Sequence, residues 1–465
     1  MNLHLGLLLA YAVLQVALGL WVGRHLRGTS DFFVASRGLG PGLLATTLIA
    51  ANVGAGSTVG AAGLGYRDGL AAWWWVGSAA IGSIVLGLTV GPRIWAIAQT
   101  HDLRTVGDYL EHRYNSSVRG LIAGVLWVGT LAILAGQLIA LSWVLNVVAG
   151  IPKTWGCLIG GIVATAYFSV GGLLTSAWVN LLQLGVMLAG FAAALALGPA
   201  NAGGWSEVVA RTSAEHPGHW SFFEGGGSGW IYLPLLAPAF VISPGLLQKV
   251  YGARDAASVR LGVLVNAGAL LLFAFVPPLI GSLARALHPG LENRELALPT
   301  LLMQDLPPLI GALGLAAVVS AEISTMDAIL FMLSTSLSQD IYRRFVRPAA
   351  SEGAVLRVAR LAAFTGAALG IGLALLLPNV IQALSLFYSV LSVSLFVPLI
   401  AGLYLPRAGT REAVLAIVFG VATLLAVQFA TEGLGYGMLS PVLAGLIVAS
   451  LACTAGLALK QITTE

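Results

Sequence analysis

Carboxyl and hydroxyl side chains are grouped at the centre of one apolar stretch, which runs from about residue 309 to residue 337. The group is Ser320-Ala321-Glu322-Ile323-Ser324-Thr325-Met326-Asp327. All other Asp and Glu residues fall in predicted loops or at predicted helix ends. A charge at the centre of a bilayer costs about 2.5 to 3.5 kcal/mol or more. If the stretch spans a membrane, Glu322 and Asp327 are therefore candidate functional groups.

The hydroxyls of this group follow a helical spacing. Ala321, Ser324, Thr325 and Ala328 are three and four residues apart, so they share one helix face. Neutral hard oxygen ligands suit a small alkali cation and allow it to leave again. In the alternative interpretation, the hydroxyls bond to the preceding turn of their own helix.

The composition places this helix in a membrane protein. The chain has 465 residues, of which 58% are hydrophobic and 9% charged, against about 25% charged in soluble domains. The net charge is +4, and the basic residues lie at predicted helix ends, which excludes a nucleic-acid partner. Cys157 and Cys453 both lie in apolar runs and are predicted to be unreactive core thiols. The first apolar run, residues 3–22, has no cleavage site and is expected to be a retained helix.

Counting apolar runs predicts a single membrane domain with about thirteen transmembrane helices. The predicted spans are 3–23, 40–66, 69–98, 119–149, 152–170, 176–199, 229–250, 259–287, 309–338, 354–377, 380–404, 412–430 and 438–459. With the N-terminus outside and the C-terminus cytoplasmic, 18 of the 23 Lys and Arg residues fall on inside connections. This distribution obeys the positive-inside rule and predicts a multi-pass protein of the cell membrane, with the bacterial inner membrane as the expected location.

Two predicted spans contain residues that interrupt helices. The second has Asn52, Gly54, Gly56 and Gly60 at mid-depth, and the seventh has Ser243-Pro244-Gly245. Irregular backbone inside a bilayer is tolerated only where it lines a cavity, and its free carbonyls can hold a cation. Glycine also allows close helix packing, which is the alternative interpretation of the first interruption. Interruptions five spans apart are typical of transporters built from inverted repeats.

These segments resemble the sodium:solute symporter family over most of the chain. The resemblance rests on Ser30-Asp31-Phe32-Phe33-Val34-Ala35-Ser36-Arg37 leading to Asn52-Val53-Gly54, on Tyr167, Gly171-Gly172-Leu173 and Gln183, on Gln248-Lys249 with Ala253-Arg254-Asp255, and on Ser324-Thr325 followed by Asp340-Ile341-Tyr342. The resemblance implies an all-α membrane protein of the leucine-transporter (LeuT) type, with two inverted five-helix repeats and broken core helices 1 and 6. The repeats would cover about 40–200 and 229–404. An extra N-terminal helix and cytoplasmic loop, about 1–39, would precede them, and two additional helices, about 412–460, would follow.

The resemblance also implies a sodium site. Its ligands would be the backbone carbonyls of Ala50, Val53 and Ala321 and the hydroxyls of Ser324 and Thr325.

The chain departs from the family pattern at two positions. Asn180 stands where members commonly have Asp, and Asp327 stands where several members have a small hydroxyl. We therefore predict that Asp327 faces Asn180 and completes a second cation site or carries a proton. In the alternative, Asp327 is a hydrogen-bonded structural acid. For Glu322 we consider contact with a substrate amine, a water-filled cavity or an Arg.

A substrate pocket is expected beside the sodium site. Its candidate residues are Asn52, Gly56, Ser57, Trp75, Gln137, Ser243, Tyr388 and Glu322. Small residues at Gly56 and Ser57 make a sugar substrate less favourable, because sugar carriers have larger polar side chains there. The run Trp73-Trp74-Trp75 can equally anchor the protein at the membrane interface, since neighbouring helix residues point about 100° apart.

The predicted function is sodium-coupled secondary active uptake of a small organic solute by alternating access, by a protein that works as a monomer in the lipid bilayer. The main alternative is a proton-coupled symporter of the same fold that uses Asp327 or Glu322. A membrane sensor is disfavoured because the chain ends soon after the last span. An intramembrane enzyme is disfavoured because there is no HExxH pair and no Gly-x-Ser-x-Gly elbow.

Overall fold

The computed structural model shows a helical protein over the residues that it describes, 3–23, 37–170, 173–225 and 227–464. Side chains are described for these residues except 16, 18–23, 166–181 and 461–464. The α-helices are α1 Leu3–Gly23, α2 Pro41–Asn52, α3 Val59–Asp68, α4 Trp73–Val85, α5 Gly91–Thr100, α6 Val106–Arg113, α7 Ser116–Ala149, α8 Lys153–Val170, α9 Leu173–Leu197, α10 Trp205–Glu215, α11 Leu233–Ile242, α12 Pro244–Tyr251, α13 Ala256–Phe273, α14 Val276–Leu287, α15 Ala297–Gln304, α16 Pro308–Thr335, α17 Glu352–Leu376, α18 Val380–Tyr404, α19 Thr410–Ala430 and α20 Pro441–Thr464. A π-helical segment, Ser336–Val346, continues α16.

Several long helices begin at residues that satisfy the first free backbone N–H groups. Asn115 caps α7, Asp255 caps α13 and Asn379 caps α18, each accepting a hydrogen bond from the N–H three residues later. Such a cap is worth about 1 kcal/mol. Proline opens α2, α12 and α16, where its missing N–H costs nothing.

Ten described helical stretches are long and apolar enough to cross a membrane. Two shorter apolar helices, Leu3–Gln15 and Pro41–Asn52, accompany them. The count of ten takes Ala55–Thr100 as one stretch, although a turn at Gly69, whose φ is +64°, separates α3 from α4 within it. The prediction of thirteen treats residues 40–66 and 69–98 as two spans. The count of thirteen stays a prediction.

Helix α16 lies at the centre of the molecule. In its most apolar window 83% of the residues are buried, against 28% in Thr410–Ala430 at the periphery. It packs against α1, α2, α7, α9 and α17. Tyr11 of α1 and Ser320 of α16 share a hydrogen bond of 2.5 Å between their hydroxyls. The polar group in α16 is therefore surrounded by other helices.

Glu322 and Asp327 are both buried, although they are not the only buried carboxylates. Asp68, Glu295, Asp340 and Glu412 are buried as well. These four lie at or near helix ends, so the expectation that only α16 holds acids at its centre agrees with the structure. Their burial, however, was not predicted, because a helix end can be covered by neighbouring loops.

Candidate functional site

The interruption after α2 lies directly against α16. The chain leaves helical form at Val53, makes one 3₁₀ turn over Ala55–Ser57 and re-enters a helix at Val59. A Cβ atom on Gly54 would overlap the Thr325 hydroxyl and Gln137 Oε1. Only glycine fits between these two side chains, so the residue type sets how closely the backbone approaches α16.

Two hydroxyls of α16 point at the carbonyls freed by this interruption. The Ser324 hydroxyl lies 2.8 Å from the Ala50 carbonyl oxygen and 3.0 Å from that of Ala321. The Thr325 hydroxyl lies 3.3 Å from the Val53 carbonyl oxygen and 3.5 Å from that of Ala50. The structure thus brings together all five atoms that the family resemblance implies as sodium ligands.

This group contains more hydrogen-bond acceptors than hydroxyl protons. Thr325 has one hydroxyl proton, yet the carbonyl oxygens of Ala50, Ala51 and Val53 all lie within 3.5 Å of it. Both hydroxyls are buried, so water does not easily satisfy the remaining lone pairs. An excess of buried neutral oxygens favours a hard cation.

A cavity of about 70 Å³ adjoins this oxygen cluster, and Thr325 lines both. Seven of the eight predicted pocket residues line it, namely Asn52, Gly56, Ser57, Trp75, Gln137, Ser243 and Tyr388. The eighth, Glu322, is not among the lining residues. The volume counts the space that the centre of a water-sized sphere can occupy. One water needs about 10 to 15 Å³ of such space, so the cavity has room for a small solute.

Aromatic side chains form one wall of the cavity. Trp75 packs edge-on against Tyr232 and Tyr388, with ring centroids 5.0 and 6.3 Å apart. Phe387, which the sequence pairs with Tyr388 as a pocket residue, and Phe240, which the sequence did not single out, pack on Tyr388 from other sides. Of the three consecutive tryptophans, only Trp75 lines the cavity, as the 100° rotation per residue requires.

Amide side chains hold the interruption in place. Gln137 Oε1 accepts a hydrogen bond of 2.8 Å from the Ala55 N–H. Asn52 Nδ2 donates to Asn266 Oδ1 of α13 at 3.0 Å. Asn266 was missed in the sequence, although a single amide at the centre of an apolar run is a detectable signal.

Glu322 lies behind the interruption and is fully buried. Its Oε1 accepts a hydrogen bond of 2.8 Å from the Thr58 hydroxyl, at the start of α3. Among the described residues, its Oε2 has no hydrogen-bond partner. Direct contact with a substrate stays a prediction, and the structure places Glu322 beside α3 and away from the cavity lining.

Asp327 lies on the flank of the Ser324 and Thr325 face that is opposite to Glu322, and it is also buried. It interacts electrostatically with Lys249 of α12, which is 2% exposed. The sequence singled out Lys249 only as part of the family resemblance and did not pair it with Asp327. The predicted partner, Asn180, lies among the residues whose side chains are not described.

The second interruption separates α11 from α12 at Ser243. Pro244 has no N–H to donate, and it disfavours helical backbone at the residue before it. Ser243 and Gly245 face the same cavity as Asn52 and Gly56. The cavity therefore lies between both interruptions. Their correspondence to broken core helices 1 and 6 stays a prediction.

Comparison with known proteins agrees with this geometry. A model of the sodium:solute symporter family matches residues 32–420. The chain belongs to this family. The symporter is 29% identical to the sodium/pantothenate symporter of Escherichia coli, over 97% of this chain and 95% of that protein. It is 24% identical to the sodium/glucose cotransporter of Vibrio parahaemolyticus, over 90% of this chain and 84% of that protein.

A solved structure supports the fold of the symporter. The outward-open, substrate-bound form of a Na⁺-coupled sialic acid symporter superposes with a TM-score of 0.83 at 17% identity, covering 99% of this chain and 98% of the other. The prediction of a LeuT-type transporter is thereby confirmed at the level of the fold. The relatives are transporters and cotransporters, so the protein is a multi-pass membrane transporter and not an enzyme.

Proposed function

We propose that this symporter uses the sodium gradient to drive uptake of a small organic solute. The observation that supports the proposal is the cluster of five oxygen atoms from Ala50, Val53, Ala321, Ser324 and Thr325 beside a cavity. Three of these atoms are carbonyl oxygens and two are hydroxyls, a neutral set that binds sodium and also releases it.

Sodium in this cluster would join α2 to α16. An ion shifts a conformational equilibrium only through its different affinity for the two states. The cluster requires the α2 interruption to lie against α16, so sodium favours conformations that keep this contact. Solute binding in the adjoining cavity and release of both to the cytoplasm then complete the cycle. This cycle assumes the predicted orientation, with the N-terminus outside and the C-terminus cytoplasmic.

The cavity lining indicates the chemistry of the solute. Its residues are apolar, aromatic, amide or hydroxyl, and none of the described lining residues carries a charge. We therefore infer a compact solute with an apolar body and polar groups that amides can recognise. Asn52, Ser57 and Gln137 would bind its polar groups, and Trp75 and Tyr388 would pack on its body. The monomeric state and a second cation site at Asp327 and Asn180 remain part of this proposal.

A thermal-stability screen of the purified protein tests the proposal. Sodium, potassium and choline chlorides are compared, each with and without pantothenate, L-proline, glucose or sialic acid. A ligand that binds only the folded state stabilises it by RT ln(1 + [L]/Kd), about 2.7 kcal/mol at a hundredfold excess over Kd. We expect a sodium-specific rise in melting temperature that increases further with one solute class. A solute effect without sodium dependence contradicts the proposal and favours the proton-coupled alternative.

A further inference from the structure

A second cavity lies farther along α16, beyond the first. It has a volume of about 40 Å³ and is bounded by α6, α7, α12 and the end of α16. Its polar lining residues are Thr105, Thr130, Gln248, Ser336 and Asp340. The volume exceeds what one water requires, so the space is large enough for a small polar group.

Two buried polar atoms on its lining residues have no partner among the described residues. Gln248 is 4% exposed, and its Oε1 accepts no hydrogen bond. The indole Nε1 of Trp127 donates none. A buried polar atom without a partner costs about 1 to 3 kcal/mol. Two residues of the cavity lining thus carry one acceptor and one donor whose hydrogen bonds are unmade.

Met332 separates the two cavities and is the one described residue that lines both. Its thioether packs on Gly245, where an added Cβ atom would lie 2.7 Å from the sulfur. Next to it, Gly245 lines the first cavity and Pro244 lines the second. Methionine is unbranched and changes rotamer easily. A rotation of Met332 would therefore connect the two spaces.

A polar cluster closes the far end of the second cavity. Asp340 Oδ1 accepts hydrogen bonds from the Thr105 hydroxyl at 2.6 Å and from Arg119 at 2.8 Å. Arg119 also pairs with Asp108 and Glu111, each at 2.8 Å. These bonds tie α6 and α7 to the end of α16 and seal the cavity on the side away from the first.

We propose that the second cavity is a second solute-binding station on the transport route. The solute passes Met332, hydrogen-bonds to Gln248 Oε1 and Trp127 Nε1, and leaves when the cluster of Arg119 and Asp340 opens. This inference rests on the proposed function, because it takes the first cavity as the primary solute site.

Cysteine labelling tests whether the second cavity is part of a route. Cys157 and Cys453, both buried, are first replaced by alanine. Ser336→Cys then places a thiol on the cavity lining, and Ser334→Cys is the matched control, since Ser334 is buried two residues earlier and lines neither cavity. The probe is 2-aminoethyl methanethiosulfonate, added to the full-length protein in detergent. We expect the Ser336→Cys protein to react at least about tenfold faster than the control. The reaction should be slower in sodium than in potassium, because sodium favours the conformation described here, in which α2 contacts α16 and the Arg119–Asp340 cluster is closed.

The hydrogen-bonding role of Gln248 is tested in the same protein. Gln248→Leu removes the acceptor at similar volume, and the loss of one hydrogen bond corresponds to a change of about threefold to tenfold. We expect this change to slow the reaction with the 2-aminoethyl reagent and not with its trimethylammonium analogue, which has no N–H to donate. Equal slowing of both reagents contradicts the role of Gln248.

Two outcomes would contradict the proposal of a second solute-binding station. In one, the Ser336→Cys protein reacts no faster than the Ser334→Cys protein. In the other, sodium does not change the labelling rate of the Ser336→Cys protein. If Ser336→Cys does not fold, Thr130→Cys reports on the same cavity from α7. The stability screen reports sodium binding separately. Failed labelling with sodium stabilisation intact therefore refutes this inference alone, and loss of sodium stabilisation refutes the proposed function.

Discussion

At the residue scale, the hydroxyls of α16 fall into two groups with different partners. Ser334 and Thr335 donate to carbonyls of their own helix, Leu330 and Phe331, at 2.6 and 2.7 Å. Ser324 contacts the Ala321 carbonyl of its own helix at 3.0 Å, but its hydroxyl lies nearer, at 2.8 Å, to the carbonyl of Ala50 in α2. Back-bonding within the helix is the ordinary behaviour of a buried hydroxyl, so the contact across to α2 marks Ser324 as a candidate ligand.

Substitution of these hydroxyls tests the sodium site. Ser324→Ala or Thr325→Ala should raise the sodium concentration for half-maximal uptake about tenfold, which corresponds to about 1.4 kcal/mol. Apparent solute affinity at saturating sodium should change less, and least for Ser324→Ala, because Thr325 lines the cavity and Ser324 does not. Sodium-dependence curves of uptake into proteoliposomes measure both quantities.

The control variants are Ser334→Ala and Thr335→Ala, which remove the same groups from the same helix about three turns away. They should leave the sodium dependence as it is in the unmodified protein. If the Ser324 and Thr325 variants behave like these controls, the site assignment is wrong.

At the element scale, the α2 interruption depends on glycine at a point of close contact. A Cβ at Gly54 would meet the Thr325 side chain and Gln137, while a Cβ at Gly42, in the first turn of α2, would meet nothing within 4 Å. Comparing alanine substitutions at these two glycines therefore separates the effect of close packing at the interruption from the general effect of replacing a glycine.

Gly54→Ala should push α2 away from α16. Overpacking of this kind costs about 1 to 3 kcal/mol, and it should also abolish the sodium-dependent rise in melting temperature because the oxygen cluster cannot close. Gly42→Ala should keep the sodium effect. Melting curves with and without sodium measure both, and a Gly54→Ala protein with an unmodified sodium response would show that the contact is not needed for binding.

At the scale of the whole molecule, a buried histidine links the segment before α11 to α14. His219 Nε2 and the Ser282 hydroxyl are 2.9 Å apart. Ser282 also donates to the Pro278 carbonyl, and the neutral tautomer with its hydrogen on Nε2 completes both hydrogen bonds. Burial, together with the nearby Arg285, lowers the pKa of His219 to about 4.

This pKa predicts the direction in which stability depends on pH. Between about pH 4 and the ordinary value near 6.5, the unfolded chain binds a proton at this position that the folded protein does not bind. The melting temperature should therefore fall as the pH is lowered through this window, with no contribution from His219 above it. His219→Gln should flatten that part of the curve, and the exposed His216→Gln should not. Equal curves for the two variants would contradict the assignment.

The features that the sequence determined by itself depend on residues that are close together in the chain. Long apolar runs predicted membrane helices, Pro244 and the glycines after Asn52 favoured interruptions, and the spacing of Ser324 and Thr325 placed both hydroxyls on one helix face. These features depend on neighbours within a few residues of the chain. A helical membrane protein with interrupted helices could therefore be predicted from these features, whereas the family and the expected site residues came from the resemblance of particular motifs.

Only the tertiary structure decided which side chains meet. Thr58 bonds to Glu322, Asn52 bonds to Asn266, and Lys249 lies near Asp327. Each of these contacts joins different helices, and helical periodicity gives a residue's face without giving the neighbour opposite it. The boundaries of the short helices around the interruptions were also undetermined, because a hydropathy count does not register where buried backbone leaves helical form. The second cavity and Met332 follow from the packing of α12 on α16, which no local pattern encodes.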